Sequence, residues 1–193
     1  MRLDWAENEV VIRKAVDPVF NFIARGAEYH RWHFDYHLRA EPLDIRPGVV
    51  GSVFCIEEIV DGFYLRHVGR VARYEPGRRF AWRARFALFP WIWIGTDFDF
   101  EPFEGGTRVH EVLYFDLSPL LLPVVPAFIR HRAFRPEACR RHILDELSGV
   151  KTMLEAGDHA PADVADPLTD VGFLSRVKRY RTEGPRSTAT ATP

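Results

Sequence analysis

The 193-residue chain has little sulfur: two cysteines and two methionines. Cys55 and Cys139 are too few for a disulfide framework or a Cys-rich zinc module, so any metal here must be held by imidazole and carboxylate. Net charge is also nearly absent, at −1. Nothing global therefore points to nucleic acid or to an anionic membrane as a partner. There is no membrane-spanning run. The greasiest stretch, LSPLLLPVVPAFI at Leu117–Ile129, is too short for a bilayer and is broken by Pro119, Pro123 and Pro126. It reads as a buried or cavity-covering crossover. The opening MRLDWAENEV is charged from its second residue and has no apolar core. A secretory signal is not expected there, and a cytoplasmic location is. The chain has no internal repeat.

What the chain does have is 47% hydrophobic residues, 13% aromatics and eight histidines, three of them within His30–His37. The apolar content suits one domain with a proper core. Glu9–Lys14 reads as a first strand. Asp17-Pro18 opens a short helix that carries Phe20, Ile23 and Ala24 and stops at Gly26. After the polar aromatic segment YHRWHFDYH, the pattern becomes period two. Strands are expected at Val53–Val60, Phe63–Tyr74, around Phe80–Phe86, Trp91–Phe100 and Thr107–Asp116. Asp61-Gly62, Glu75-Pro76-Gly77 and Glu104-Gly105-Gly106 supply the turns between them. Pro136–Leu154 is a long amphipathic helix, with Ala138, His142, Asp145, Glu146, Gly149 and Met153 near one stripe. Residues 1–157 thus form one domain. Residues 158–193 form a charged tail without pattern, expected to be mobile.

The order is strand, short helix, antiparallel meander, long C-terminal helix. This is an α+β layout in which a curved antiparallel sheet buries its concave face around the helix. Over roughly residues 5–157 it resembles the helix-grip fold of the START and Bet v 1-like (SRPBCC) superfamily. That resemblance implies a deep apolar cavity between sheet and helix. It also implies one of three roles: carriage of hydrophobic ligands, polyketide cyclisation, or metal-dependent hydrolysis.

Several residues could carry chemistry in such a cavity. His142 and Glu146 stand four apart on the C-terminal helix, on one face and close enough to grip one ion. His33 and His37 lie in the aromatic segment near one end of the sheet, with Tyr29 and Trp32. Glu57-Glu58 interrupts the apolar strand VFCIEEIV. Successive strand residues face opposite sides, so one of these carboxylates points inward and needs a cation or a proton. A mixed His/Glu set suits catalytic Zn²⁺ or another divalent first-row ion. Phe80, Trp82, Phe86, Phe98 and Phe100 would give the cavity an aromatic lining for a small aromatic or hydrophobic molecule. The dense run Phe89-Pro90-Trp91-Ile92-Trp93 offers a surface for a second copy of the chain, so a homodimer is a candidate assembly.

A narrower resemblance rests on short motifs. Tyr29-x-x-Trp32-His33-x-x-x-His37 resembles the Y-x-x-W-H-P-x-x-H stretch of the 2,4-diacetylphloroglucinol hydrolase family. His142-Ile143-Leu144-Asp145-Glu146 is similar to that family's H-x-x-x-E on the C-terminal helix. Glu58, four before Gly62, resembles its strand glutamate. The resemblance implies zinc held by His37, Glu58, His142 and Glu146, with Tyr29 orienting substrate. It implies hydrolysis of a carbon–carbon bond between an acyl group and an electron-rich ring. Tyr29, His67 and His110 are the candidates for proton transfer, and Trp32, Trp82 and Phe98 for substrate contact. Phe34 stands where the motif has proline, which leaves His33 open as the ligand, and strand phase leaves Glu57 open beside Glu58.

Overall fold

A computed structural model describes residues 1–25, 32, 36–44, 49–86, 89–121 and 134–156. The elements are β1 (Arg2–Ile12), α1 (Val16–Arg25), β2 (His37–Asp44), β3 (Val53–Val60), β4 (Phe63–Glu75), β5 (Arg79–Phe86), β6 (Phe89–Phe103), β7 (Gly106–Asp116) and α2 (Pro136–Ala156). A short 3₁₀ turn occupies Pro119–Leu121. The strands form one antiparallel sheet in the order β1-β7-β6-β5-β4-β3-β2. The long C-terminal helix packs across it, which is the helix-grip arrangement expected from the sequence.

The hairpins follow their turn chemistry. Asp61 and Gly62 both have positive φ, 49° and 78°, the backbone of a two-residue hairpin turn whose twist matches the strands it joins. β3 runs from Val53 to Val60, as its alternation predicts. Three elements differ from expectation. β1 begins at Arg2 rather than Glu9, and a bulge between Asp4 and Ala6 lets Trp5 and Ala6 both become buried. α1 begins at Val16, so Asp17 and Pro18 occupy its first turn instead of initiating it. The segment after the aromatic cluster is a strand, β2, hidden in the sequence by its polar composition and Pro42. It is the outermost strand of the sheet, where a proline costs no inner ladder bond.

The inner face of the sheet carries the core. Phe80, Phe98 and Phe100 stack along β5 and β6, and Phe20 of α1 meets Phe100 edge-on at 5.2 Å. The buried stripe of α2 is Cys139, Ile143, Glu146, Leu147 and Val150. This is rotated from the expected stripe, so His142 and Gly149 flank it and Asp145 is exposed. Gly149 is needed for close approach: a Cβ there would lie 1.6 Å from the backbone oxygen of Trp32.

α2 is seated mainly on β1. Trp5 Nε1 donates to the Phe134 carbonyl just before the helix (2.7 Å), and Asn8 Nδ2 donates to the Arg140 carbonyl (3.3 Å). Further along, Lys151 Nζ donates to the Val11 carbonyl and the Arg13 amide donates to Glu155 (2.7 Å). Towards β3 and β7 the helix stands off, and the cavity lies in that gap. Most of the apolar crossover, residues 122–133, and the tail from 157 onward lie outside the described residues.

Candidate metal centre

β2 and β3 pair with His37 directly opposite Glu58. This register decides which glutamate faces the cavity. Both carboxylates are buried, each 5% exposed, but on opposite sides of the sheet. Glu57 faces outward and accepts a hydrogen bond from the Tyr64 hydroxyl (3.0 Å), with Arg66 Nε at 3.4 Å. Glu58 faces inward, towards three histidines. One of its oxygens lies 3.8 Å from His37 Nε2 and 3.6 Å from His142 Nε2; the other lies 3.6 Å from His67 Nε2. Glu146, one turn along α2 from His142, reaches within 3.7 Å of His37 Nε2.

These separations decide the chemistry. They are too long for hydrogen bonds. Donor atoms bound to one tetrahedral Zn²⁺ at 2.0–2.1 Å stand about 3.3 Å apart. The donor atoms of His37, His142 and Glu146 all lie within 4.8 Å of one another. The individual His–Glu separations of 3.6–3.8 Å are a few tenths of an ångström wider than that, and the three-residue group as a whole is looser. His67 stands one step back. Its ring stacks on Trp82 at 5.4 Å while its Nε2 faces the far oxygen of Glu58.

Electrostatics point the same way. Burial works against ionising Glu58, but His142, with His67 and His37, outweighs it and holds the carboxyl down at about 2. Burial pushes the pKa of Glu146 up, helped by the charges of Glu111 and Glu58. Burial and Glu58 push Glu111 up as well. Burial lowers the pKa of His67, against the opposing pull of Glu58. Three carboxyls therefore share one cavity, and the described residues of its lining include no lysine or arginine. A divalent cation is the partner such a set fits. Cys139 also lines the cavity, but burial, then Asp61 and Glu58, raise its pKa to about 12. It is a thiol there, not a thiolate ligand.

The remaining cavity wall is mostly apolar: Trp82, Ile94, Leu113, Phe134 and Ile143, with Thr96. About 30 Å³ is open to water centres, room for about two waters. His142 also borders a wider outer cleft of about 380 Å³, rimmed by Tyr36, Asp61, Arg135 and Arg141. Arg135 and Asp61 close one end of that cleft with a two-pronged ion pair, shortest contact 2.6 Å.

Of the residues expected from the sequence, His37, Glu58, His142 and Glu146 come together, and Trp82 lines the cavity beside them. His110 does not. It lies on the outer face of β7, paired with Glu7 at 3.2 Å, because strand alternation turns it away from the cavity. Phe98 sits in the aromatic core with Phe80 and Phe100, and is not among the described residues that line the cavity. Trp32 is buried against Phe22 and under Gly149. Tyr29 and His33 lie outside the described residues. Glu111 is the inward residue that the sequence reading missed. Its signal is a carboxylate in phase with Val109 and Leu113 along β7.

No family model matches the sequence, and no curated protein matches it. Solved structures do match by fold. KanY protein aligns with a TM-score of 0.60 at 15% identity, covering 80% of this chain and 99% of its own. Major latex-like protein 151 from Panax ginseng gives 0.62 at 11%, covering 80% and 97%. The di-domain ARO/CYC protein BexL from the BE-7585A biosynthetic pathway gives 0.58 at 16%, covering 81% of this chain and half of its own. The fold is therefore the Bet v 1-like helix-grip fold, with a largely buried His37/His142/Glu146 group that could hold a metal. At these identities the likeness speaks for the fold alone. Among the described residues, no helix is long and apolar enough to cross a membrane.

Proposed function

We propose that this chain is a divalent-metal-dependent hydrolase, with zinc the first candidate ion. Its reaction is cleavage of the carbon–carbon bond between an acyl group and the ring of an acylated phenol or similar small aromatic ketone. One observation carries the reading: two histidines and two carboxylates from β2, β3 and α2 converge at separations just above those of a metal shell. The motif resemblance to the 2,4-diacetylphloroglucinol hydrolase family supplies the reaction class.

His37, Glu58, His142 and Glu146 would hold the ion. When bound, such an ion polarises a carbonyl and lowers the pKa of water toward about 7. The other residues act on geometry. His67, with its Nε2 3.6 Å from the far oxygen of Glu58, would orient that carboxylate once an ion draws the group together. Trp82 and Ile94 offer flat, dry walls to a ring. Water adds across the acyl–ring bond: the acyl carbon gains oxygen, the ring carbon gains the proton, and the bond between them breaks. Tyr29 is the proposed phenol that orients the substrate. A ring does not fit in 30 Å³, so productive binding needs the gap between α2 and the sheet to widen, and the outer cleft beside His142 is the side from which to enter.

Elemental analysis of protein purified without chelator tests this. About one zinc, manganese, iron or cobalt per chain is expected, lost in His142→Ala and Glu146→Ala while far-ultraviolet circular dichroism stays native. Metal-free wild-type protein would sink the reading and favour a metal-free cyclase or a carrier of hydrophobic ligands. Release of the carboxylic acid from acylphenols then tests the reaction itself.

A further inference from the structure

We infer that Glu111 is a hydroxyl-recognising anchor of the cavity, so that the ligand admitted there is a ring bearing a free hydroxyl group. The inference rests on the cavity being the ligand site proposed above. It adds a residue that neither the metal shell nor the reaction employs.

Three observations carry it. First, Glu111 sits on the inner face of β7, in phase with Thr107, Val109 and Leu113, and opposite Phe98 of β6. It is a carboxyl flanked in that row by the apolar Val109 and Leu113. Second, it is 3% exposed, lines the cavity, and its Oε2 has no hydrogen-bond partner among the described residues. A buried polar atom left without a partner is costly, and the few that persist in native proteins mark a function or a bound group. Third, the metal-competent group closes without it, since His37, His142 and Glu146 gather on their own. Glu111 is left facing the space that a ligand would fill.

The chemistry of the partner follows from the carboxyl. A hydroxyl pairs with a carboxyl in either protonation state, because it donates to the anion and accepts from the acid. A methyl ether pairs only with the acid, and a ring hydrogen pairs with neither form. Sites built to bond a substrate hydroxyl discriminate strongly against analogues that lack it, because the buried group is then left unpaired. The same group should weaken the empty protein, a common feature of binding residues.

The test is binding, measured apart from turnover. Metal-loaded protein is titrated with the ortho, meta and para hydroxyacetophenones, their methyl ethers and acetophenone, following tryptophan fluorescence with Trp82 in the wall. At least one hydroxylated isomer is expected to bind wild type about tenfold or more tighter than acetophenone. Glu111→Leu should shrink that preference to within about twofold at unchanged metal content. It should also raise the melting temperature of the empty protein by about 2–4 °C. The inference is overturned if wild type binds none of the ketones or shows no hydroxyl preference. It is equally overturned if Glu111→Leu keeps the preference, or loses metal (Glu111 would then be a ligand), or melts lower (its role would then be structural). Acid release is assayed in parallel. A hydroxyl preference without cleavage would sink the hydrolase reading alone, and cleavage without the preference would sink this inference alone.

Discussion

Replacing Glu146 by leucine should change the sign of its effect with metal occupancy. Glu146 is 4% exposed and shares its cavity with two other carboxyls, and burial followed by their charge pushes its pKa up. In chelated protein it is a buried polar group in poor company, at a cost of about 1–3 kcal/mol. A leucine of similar size removes that cost and adds apolar burial worth up to about 1.5–3 kcal/mol. Chelated Glu146→Leu should therefore be more stable than chelated wild type by about 2–4 kcal/mol. With metal present the order reverses. An ion at a thousand times its Kd stabilises the native state by about 4 kcal/mol, and a shell missing one of four donors forfeits most of that. Urea unfolding of both proteins, each with excess chelator and with excess Zn²⁺, gives the four midpoints needed. If the variant is less stable under both conditions, Glu146 is an ordinary packed residue and the reasoning from crowded carboxyls is wrong. If wild type gains nothing from metal, the cavity does not bind it.

Three further outcomes are expected. His67→Ala leaves all four candidate donors in place, so metal affinity should fall about 10–100-fold without being abolished, as read by competition with a chelating dye; unchanged affinity would remove His67 from the site. Gly149→Ala should lower stability by about 1–3 kcal/mol in urea although alanine is the better helix former by about 1 kcal/mol, because the new Cβ meets the Trp32 carbonyl; a stabilised variant would mean that this backbone contact is not formed. Tyr64, raised to about 12 by burial and by its bond to Glu57, should be the last tyrosine to ionise in an ultraviolet titration, and Tyr64→Phe should cost about 1–3 kcal/mol by depriving Glu57 of a donor.

The meander was legible because its strands alternate and three of its four hairpins carry a glycine turn; the β5–β6 connection, Ala87-Leu88, has none. α2 was legible within two residues of its end for a similar reason: proline at the start and a long unbroken helical pattern. β2 was not. Its sequence, HLRAEPLD, has no clean alternation, and its place is set by pairing with β3, a long-range fact. The same fact governs the site. His142 and Glu146 could be read as a pair from helical spacing alone. The choice between Glu57 and Glu58 needed strand phase, which only register supplies, and the approach of His37 to Glu58 is that register. His110 drew attention by residue type, while its neighbour Glu111 held the inward phase. Strand alternation would have ranked them the other way.

The seating of α2 has a mechanical consequence. Along β1 the helix is stitched through Trp5, Asn8, Val11 and Arg13, while its opposite flank overhangs the cavity. On that flank the described polar links are the Asp61–Arg135 clasp at one end and the histidine–carboxylate group in the middle. The molecule is built like a door hung on β1, and an ion held by the proposed group would be its bolt. Swinging the free edge outward would enlarge the chamber without breaking a strand pair, but would also spread His37 and Glu58 away from His142 and Glu146. Ion affinity and room for a bulky guest would then trade against each other with equal force in both directions.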